Sequence, residues 1–388
     1  MPTTAARVSS FGTTIFSEIN DLALRHQAIN LGQGRPDFDG PADIIAAEVK
    51  ALNSGQHNQY PPGIGIRSMR QAVAAHASRC YGLEVDAESG VIITAGATEA
   101  IFSSILGLVD AGDEVIVIEP YFDSYVPNIL MANATPVYVP LRPPDWTFDP
   151  DELRRAFTTR TRALLLNTPQ NPTGRVFSRE ELTFIAALCQ EHDVVVISDE
   201  VYEHLVFDEA RHIPIASLPG MFERTVTISS LGKTFSVTGW KVGWVFGPPS
   251  LMVGVGRAHQ FVTFCAHHPA QVAGAYALGL PGTYYEEFQT MYAAKRDRLL
   301  RGLSAAGLKV RAPEGTYFAL ADFSQVFQGD DLAFTQFLIT EIGVACIPTS
   351  PFFSPQHRSL AATQVRFTFC KTDDMLEEAA TRLARLSR

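Results

Sequence analysis

Val194-Val-Val-Ile-Ser198 runs straight into Asp199-Glu-Val-Tyr202, and this junction sets the reading of the whole chain. Four apolar residues in succession, without polar alternation, describe a strand covered on both faces. Such strands belong to a mainly parallel sheet with helices on either side. The same texture recurs around the junction. Val91–Thr94 (VIIT), Val115–Ile118 (VIVI) and Ala163–Asn167 (ALLLN) precede it, and Thr225–Ser229 (TVTIS) and Val242–Phe246 (VGWVF) follow. Helical spacing fills two of the intervals, Glu99–Val109, which ends at Asp110-Ala-Gly, and Ser178–His192. Strands alternating with helices predict an α/β fold. In such sheets ligands collect beyond the carboxyl ends of the strands.

The texture changes near residue 280. A long charged helix is expected over Tyr284–Ala306, then an extended segment, Gly315–Asp322, a strand, Val365–Phe369, and a last amphipathic helix from Asp373 onward. This α+β stretch, 281–388, reads as a smaller domain beside a large one spanning 46–280, and 388 residues suit such a division. Residues 1–45 are assigned to the smaller domain, although composition alone does not show this.

Hydrophobic content of 46 % and charged content of 19 % fit a soluble globular protein with a large core. A net charge of −10, with no basic block, argues against nucleic acid and anionic membranes as partners. The five cysteines, Cys80, Cys189, Cys265, Cys346 and Cys370, are odd in number and form no C-x-x-C pair. They support neither a disulfide framework nor a zinc site. Met1–Ser10 holds no apolar h-region, and no run approaches the roughly 20 apolar residues of a membrane span. The expectation is a reducing cytoplasm.

Five stretches carry chemistry, most of them at predicted strand ends. Ser229-Ser-Leu-Gly-Lys-Thr-Phe-Ser-Val-Thr-Gly-Trp-Lys241 places Lys233 in a Ser/Gly-rich loop, with a second cation eight residues on. Partial burial and a neighbouring cation lower a lysine's pKa and free it to act as a nucleophile. A surface lysine in a loop is the plainer reading. Asp199 ends a buried strand, where a carboxylate needs a cationic partner such as a protonated pyridine nitrogen. It also reads as an ordinary strand-end acid. Asn167-Thr-Pro-Gln-Asn-Pro-Thr-Gly174 is a rigid turn that restrains Asn171, whose amide can donate to an anionic oxygen. Ala95-Gly-Ala-Thr98 opens a helix, and free N–H groups there bind phosphate. In Val365-Arg-Phe-Thr-Phe369, Arg366 shares a face with Thr368, opposite Val365, Phe367 and Phe369. An arginine there suits a substrate carboxylate or a structural ion pair.

Taken in order, these stretches resemble the fold type I pyridoxal-phosphate (PLP) aminotransferases over roughly Phe11 to Leu383. Ile29-Asn-Leu-Gly-Gln-Gly34, Asn58-Gln-Tyr60, Glu119-Pro-Tyr-Phe-Asp123 and Gly315-Thr-Tyr-Phe318 also carry the likeness. It is closest to the branch of glutamine/kynurenine aminotransferases, with their cysteine-conjugate β-lyase activity, and methionine aminotransferases. N-succinyl-diaminopimelate aminotransferases look similar over many of the same stretches. The resemblance implies a mostly parallel seven-stranded sheet wrapped by helices, a smaller α+β domain, PLP as cofactor and a homodimer with shared active sites. It implies Lys233 as the Schiff-base lysine and general base, and Asp199 as partner of the pyridine nitrogen. Asn171 and Tyr202 would bind the ring's phenolic oxygen, and Phe122 would stack on the ring. Ala97, Thr98, Ser230 and Lys241 would hold the phosphate, with Tyr60 reaching the partner's. Arg366 would clamp the substrate α-carboxylate, assisted by Asn171 and the backbone of Gly34.

The side-chain pocket is matched by Phe16 and Phe264, whose aromatic character favours large neutral donors such as Gln, Met, Phe or kynurenine. Tyr121 is a further neighbour by its nearness to Phe122, and plain core packing is the commoner fate of such rings. Three departures stand out. Arg35 replaces an aromatic residue of the branch, and either favours an acidic substrate or pairs with Asp37. Thr98 replaces a tyrosine found in some members. Two extra residues sit in Phe264-Cys-Ala-His-His-Pro269, read as a lengthened pocket-edge loop and not as a metal site. C–S β-elimination and oxidase-type chemistry would use the same lysine. Gly63-Ile-Gly65 lacks the third glycine of a dinucleotide fingerprint and follows a proline turn, which discounts a Rossmann dehydrogenase. A PLP-binding regulator is discounted because the match leaves no room for a DNA-binding module and the charge balance is acidic.

Overall fold

The computed structural model describes residues 4–9 and 11–387. The central sheet has seven strands: β1 (Val91–Thr94), β2 (Glu114–Glu119), β3 (Thr135–Pro140), β4 (Thr161–Asn167), β5 (Val195–Asp199), β6 (Thr225–Ser230) and β7 (Gly243–Phe246). They lie in the order β1-β7-β6-β5-β4-β2-β3. Pairs from β3 across to β6 are parallel, and β7 runs antiparallel to both β6 and β1.

Successive residues of a strand point to opposite faces, and both faces here are apolar. Ile116, Leu164 and Val196 meet Leu182 and Ile185 of helix Arg179–Glu191. Val117, Leu165 and Ile197 join Ile101 and Ile105 of helix Ala97–Leu108 in the opposite layer. Each such side chain contributes about 1.5–3 kcal/mol on full burial. Ser178 and Glu181 form a capping box on the first of these helices, which fixes its start where the sequence pattern puts it.

The strand that the apolar runs do not announce is β3. It lies at the sheet edge, is only partly buried, and contains Pro136 and Pro140. Prolines are tolerated at an edge because one side of the strand needs no ladder donors. Helix Ala97–Leu108 begins two residues before the expected Glu99, so Ala97 and Thr98 form its first turn. The extended stretch 315–322 narrows to a strand at Phe318–Asp322, because Thr316 takes a left-handed φ of 63°.

A second, antiparallel sheet orders Ile347–Pro348, Gln364–Thr368, Phe318–Asp322 and Lys309–Val310. Helices Gly282–Ala305 and Asp373–Leu383 close over it through Leu299, Leu303, Leu376 and Ala379. The N-terminal segment reaches this part of the molecule. Helix Ile15–Arg25 buries Ile19 and Ala23 against Ile339, Ala345 and Ile347, and Ile29–Asn30 pairs in parallel with Val344–Ala345. Helix Ala42–Asn53 packs on His268–Leu278 instead. Among the described residues, no helix is long and apolar enough to cross a membrane.

Candidate active site

The carboxyl ends of β4, β5 and β6 open onto one cleft, as the parallel topology requires. Asp199 closes β5 and is buried. Its Oδ2 accepts a 2.6 Å hydrogen bond from the Tyr125 hydroxyl, and its Oδ1 a longer one from the Val201 N–H. Burial pushes the Asp199 carboxyl up to about 6, against the Tyr125 and Val201 bonds and the charge of Lys233. A buried acid so raised is a socket for a cation.

Lys233 stands on the single turn Leu231–Thr234 that follows β6. Desolvation lowers its amine to about 8; Cys370 and Asp199 oppose the shift, and Lys241 and Arg366 add to it. The free-base form is therefore far more accessible near neutrality than for an ordinary lysine, as nucleophilic and proton-transfer work needs. The Nζ lies 5.7 Å from the ring centroids of both Tyr202 and Tyr317.

One end of the cleft is built for an anion. Helix Ala97–Leu108 presents its first turn there, beside Ser230 and Lys241. Gly96, the N-cap, has φ +80°, and a Cβ on it would stand 3.1 Å from Lys241 Nζ. A Cβ on Gly243 would stand 2.7 Å from the Ala97 nitrogen. The backbone of Gly243 lies this close to the helix start only because it has no Cβ, and Gly96 takes a φ that L side chains rarely adopt.

Arg366, from the small sheet, is fully buried behind the same cleft. It donates to Asn171 Oδ1 at 2.8 Å and to the Gly32 carbonyl at 2.9 Å. Its guanidinium carbon lies 3.9 Å from the Phe318 ring centroid, 5.1 Å from Phe16 and 5.4 Å from Phe352. Burial lowers it to about 10, still charged at neutral pH. Its Nε has no hydrogen-bond partner, and two of the five guanidinium N–H groups are used in these bonds, so donors remain for an arriving carboxylate.

The structure thus gathers Lys233, Asp199, Tyr202, Phe122, Asn171, Ala97, Thr98, Ser230 and Lys241 around one cleft. Arg366 and Phe16 join it through Asn171 and the aromatic cluster. Gly34 packs against Phe318, and its carbonyl accepts from the Tyr317 hydroxyl at 2.7 Å. Tyr60 and Phe264 meet edge-to-face with ring centroids 5.4 Å apart, 82 % and 41 % exposed, and line no part of the cleft within one chain. Arg35 is exposed and does not meet Asp37, whose carboxylate instead receives the Thr372 N–H at 2.7 Å. Of the two roles open to Arg35, the pair with Asp37 is not formed: Asp37 accepts instead from Thr372, the residue that opens the helix Asp373–Leu383. His267 faces Glu48 and His268 faces His57, away from Lys233. Two contributors lacked a sequence signal. Tyr125 reads as a core aromatic, and Asn167, whose side chain donates to the Asp199 carbonyl, reads as part of the turn.

A phosphate cradle, a raised buried acid and a depressed lysine on one cleft define a PLP-binding site of the aminotransferase type, and the residues present fit that cofactor. Residues 26–383 match the family aminotransferase class I and II, and the chain belongs to it. It is therefore a PLP-dependent aminotransferase of fold type I. An N-succinyldiaminopimelate aminotransferase structure from Mycobacterium tuberculosis is 47 % identical, covers 99 % of this chain and 100 % of its own, and superposes with a TM-score of 0.95. Human kynurenine–oxoglutarate transaminase 1 is 40 % identical, with 96 % of each chain covered. Methionine aminotransferase of Escherichia coli is 40 % identical, with 98 % of each covered.

Proposed function

We propose that this aminotransferase moves the α-amino group of an L-amino acid with a large neutral or aromatic side chain, such as Gln, Met, Phe or kynurenine, to a 2-oxo acid. The observation that carries the reading is the surround of Arg366, where Phe16, Phe318 and Phe352 enclose the guanidinium. The named activities of the kynurenine and methionine relatives support it. Arg35, the cation that would favour an acidic side chain, is exposed. Transfer of N-succinyl-diaminopimelate is the second reading, favoured by the 47 % identity to that enzyme along the whole chain.

In this reading the helix turn at Ala97 and Thr98, with Ser230 and Lys241, holds the cofactor phosphate. Phe122 covers the ring, and Asn171 and Tyr202 hold its phenolic oxygen. Asp199, kept ionised by Tyr125, holds a proton on the ring nitrogen. Bound PLP supplies an electron sink for charge developing at the substrate α-carbon. Arg366 receives the α-carboxylate through its free Nε and turns the α-hydrogen toward Lys233. The Lys233 amine then takes that proton at Nζ as general base.

Exposed Tyr60 and Phe264 fit a homodimer in which Tyr60 completes the partner's phosphate site. The five unpaired cysteines fit a reducing compartment, the cytoplasm. Residues 46–280 are taken as the cofactor domain, and 1–45 with 281–388 as the smaller one. The test is the visible absorbance of PLP-loaded protein during addition of Gln, Met, Phe, kynurenine, Glu or N-succinyl-diaminopimelate singly. Bleaching by a neutral donor, reversed by a 2-oxo acid, is the expected result. Bleaching by N-succinyl-diaminopimelate or Glu alone overturns the donor class.

A further inference from the structure

Behind the cofactor cleft lies a second group of polar side chains that the transamination chemistry does not use. His76 and Cys80 stand one turn apart near the end of helix Arg67–Tyr81, and His204 comes from the loop five residues past Asp199. Cys80 Sγ is 3.7 Å from His76 Nδ1, and His204 Nε2 is 3.0 Å from His76 Nε2. One ligand atom from each of the three lies within 4.8 Å of the others.

We propose that His76, Cys80 and His204 form a binding site for a soft divalent cation of the Zn2+ class, with Glu203 as the carboxylate that orients it. Zinc–nitrogen bonds of about 2.0–2.1 Å and a zinc–sulfur bond of about 2.3 Å give tetrahedral edges near 3.3–3.6 Å. With His76 ligating through Nδ1, the 3.7 Å spacing to Cys80 Sγ is already close to such an edge. The 3.0 Å approach of His204 is to the other nitrogen of His76, so His204 has to move from within the 4.8 Å span by about 1 Å or more to close the shell. A thiolate with two imidazoles selects Zn2+ over Mg2+ or Ca2+.

Glu203 is the second observation. Its Oε2 lies 3.5 Å from His76 Nε2 and 3.8 Å from His204 Nε2. Its own position is fixed by the Tyr81 hydroxyl at 2.5 Å and the Ser229 hydroxyl at 2.6 Å. On His76 this carboxylate faces Nε2, the nitrogen turned away from Cys80, and a carboxylate on the far nitrogen of a histidine sets tautomer and ring orientation at zinc sites. The thiolate and this carboxylate together balance the charge of a divalent ion. Arg79, 3.3 Å from His76 Nδ1, yields that nitrogen and keeps its bond to the Leu278 carbonyl. Cys80 is exposed and lines a solvent cleft with His204 and Tyr285, which gives the ion a way in. The site ties the end of helix Arg67–Tyr81 to the segment bearing Tyr202 and Glu203, and through Ser229 to the strand that ends at Ser230.

The test uses tag-free holoenzyme equilibrated with Zn2+, then desalted and analysed for metal, with Cd2+ run in parallel. Expected are one ion per chain, a raised Tm, and an ultraviolet thiolate-to-cadmium band. Cys80→Ser and His204→Gln should each weaken Zn2+ binding by at least ~10-fold, with the cofactor absorbance reporting that they are folded. A chain that binds no Zn2+ and shows no cadmium band overturns the proposal. So does binding that survives both variants, or that is lost in His268→Ala instead. In those cases the cluster is a proton-sharing His–His–Glu network without a metal.

Discussion

Tyr125→Phe removes one oxygen and leaves the ring that packs 5.8 Å from Phe122. The lost contact is the 2.6 Å hydrogen bond to Asp199 Oδ2. A hydrogen bond to a buried charged group contributes about 1.5–3 kcal/mol. The ionised form of Asp199 is the one that holds a proton on the ring nitrogen, so the loss falls on the working state of the enzyme. Converted at about 1.4 kcal/mol per tenfold, kcat/KM should drop roughly 10- to 150-fold. The sign with pH follows from the same contact. Burial raises the Asp199 pKa and Tyr125 opposes the rise. Without Tyr125 the pKa climbs further, activity is lost earlier on acidification, and the acid limb of the pH–rate profile moves to higher pH. Steady-state kinetics of holoenzyme across the acid range, with cofactor content measured by absorbance, provide the assay. A kcat/KM within about twofold of wild type and an unmoved acid limb refute the role assigned to Tyr125.

Asp199→Asn should abolish transamination yet raise the Tm of the apo-protein. Burial pushes the folded Asp199 carboxyl up to about 6, above the ordinary carboxylate range near 3.8, so its contribution to apo stability is full in strong acid and is lost as pH rises through about 6. The difference between variant and wild type, on the order of 3 kcal/mol at neutral pH, should vanish near pH 4 in a melting series, and a pH-independent gap rejects the account. Arg366→Lys gives up the fork that spans Asn171 and Gly32; KM for the amino donor should rise roughly 10- to 100-fold while the cofactor band is retained, and an unchanged KM contradicts the clamp. Gly96→Ala puts a methyl 3.1 Å from Lys241 Nζ at a φ of +80°. PLP affinity by equilibrium dialysis should fall at least ~10-fold, and undiminished affinity would falsify the cradle.

The large sheet was legible because its central strands are apolar on both faces, so length and composition suffice to find them. Thr135–Pro140 was not, since an edge strand needs neither full burial nor an unbroken set of donors. The cofactor end of the site follows from strand ends and motif order: Lys233, Asp199, Asn171 and the turn at Ala97 converge as expected. Tyr125 escaped because a buried tyrosine in a seven-residue helix has the same sequence texture whether its hydroxyl is idle or bonded. The outer pocket is least legible. Phe264 and Tyr60 do not reach the cleft within one chain. Whether Arg35 pairs with Asp37 depends on where Asp37 finds its partner, 335 residues further along.

The pairing of Ile29–Asn30 with Val344–Ala345 also sets a timetable. A ribosome adding ~5–20 residues per second needs roughly 15–60 s to go from the first of these strands to the second. Through that interval the apolar stripe of Ile15–Arg25 has no Ile339 or Ile347 to cover it. The phosphate cradle can assemble once β7 has been made. The Gly32 carbonyl that braces Arg366 waits for both ends of the chain. A nascent chain thus holds every residue of the phosphate cradle well before it holds the carboxylate clamp, and Tyr202, packed in one core with Phe367 and Phe369, is the cofactor-side residue that waits longest.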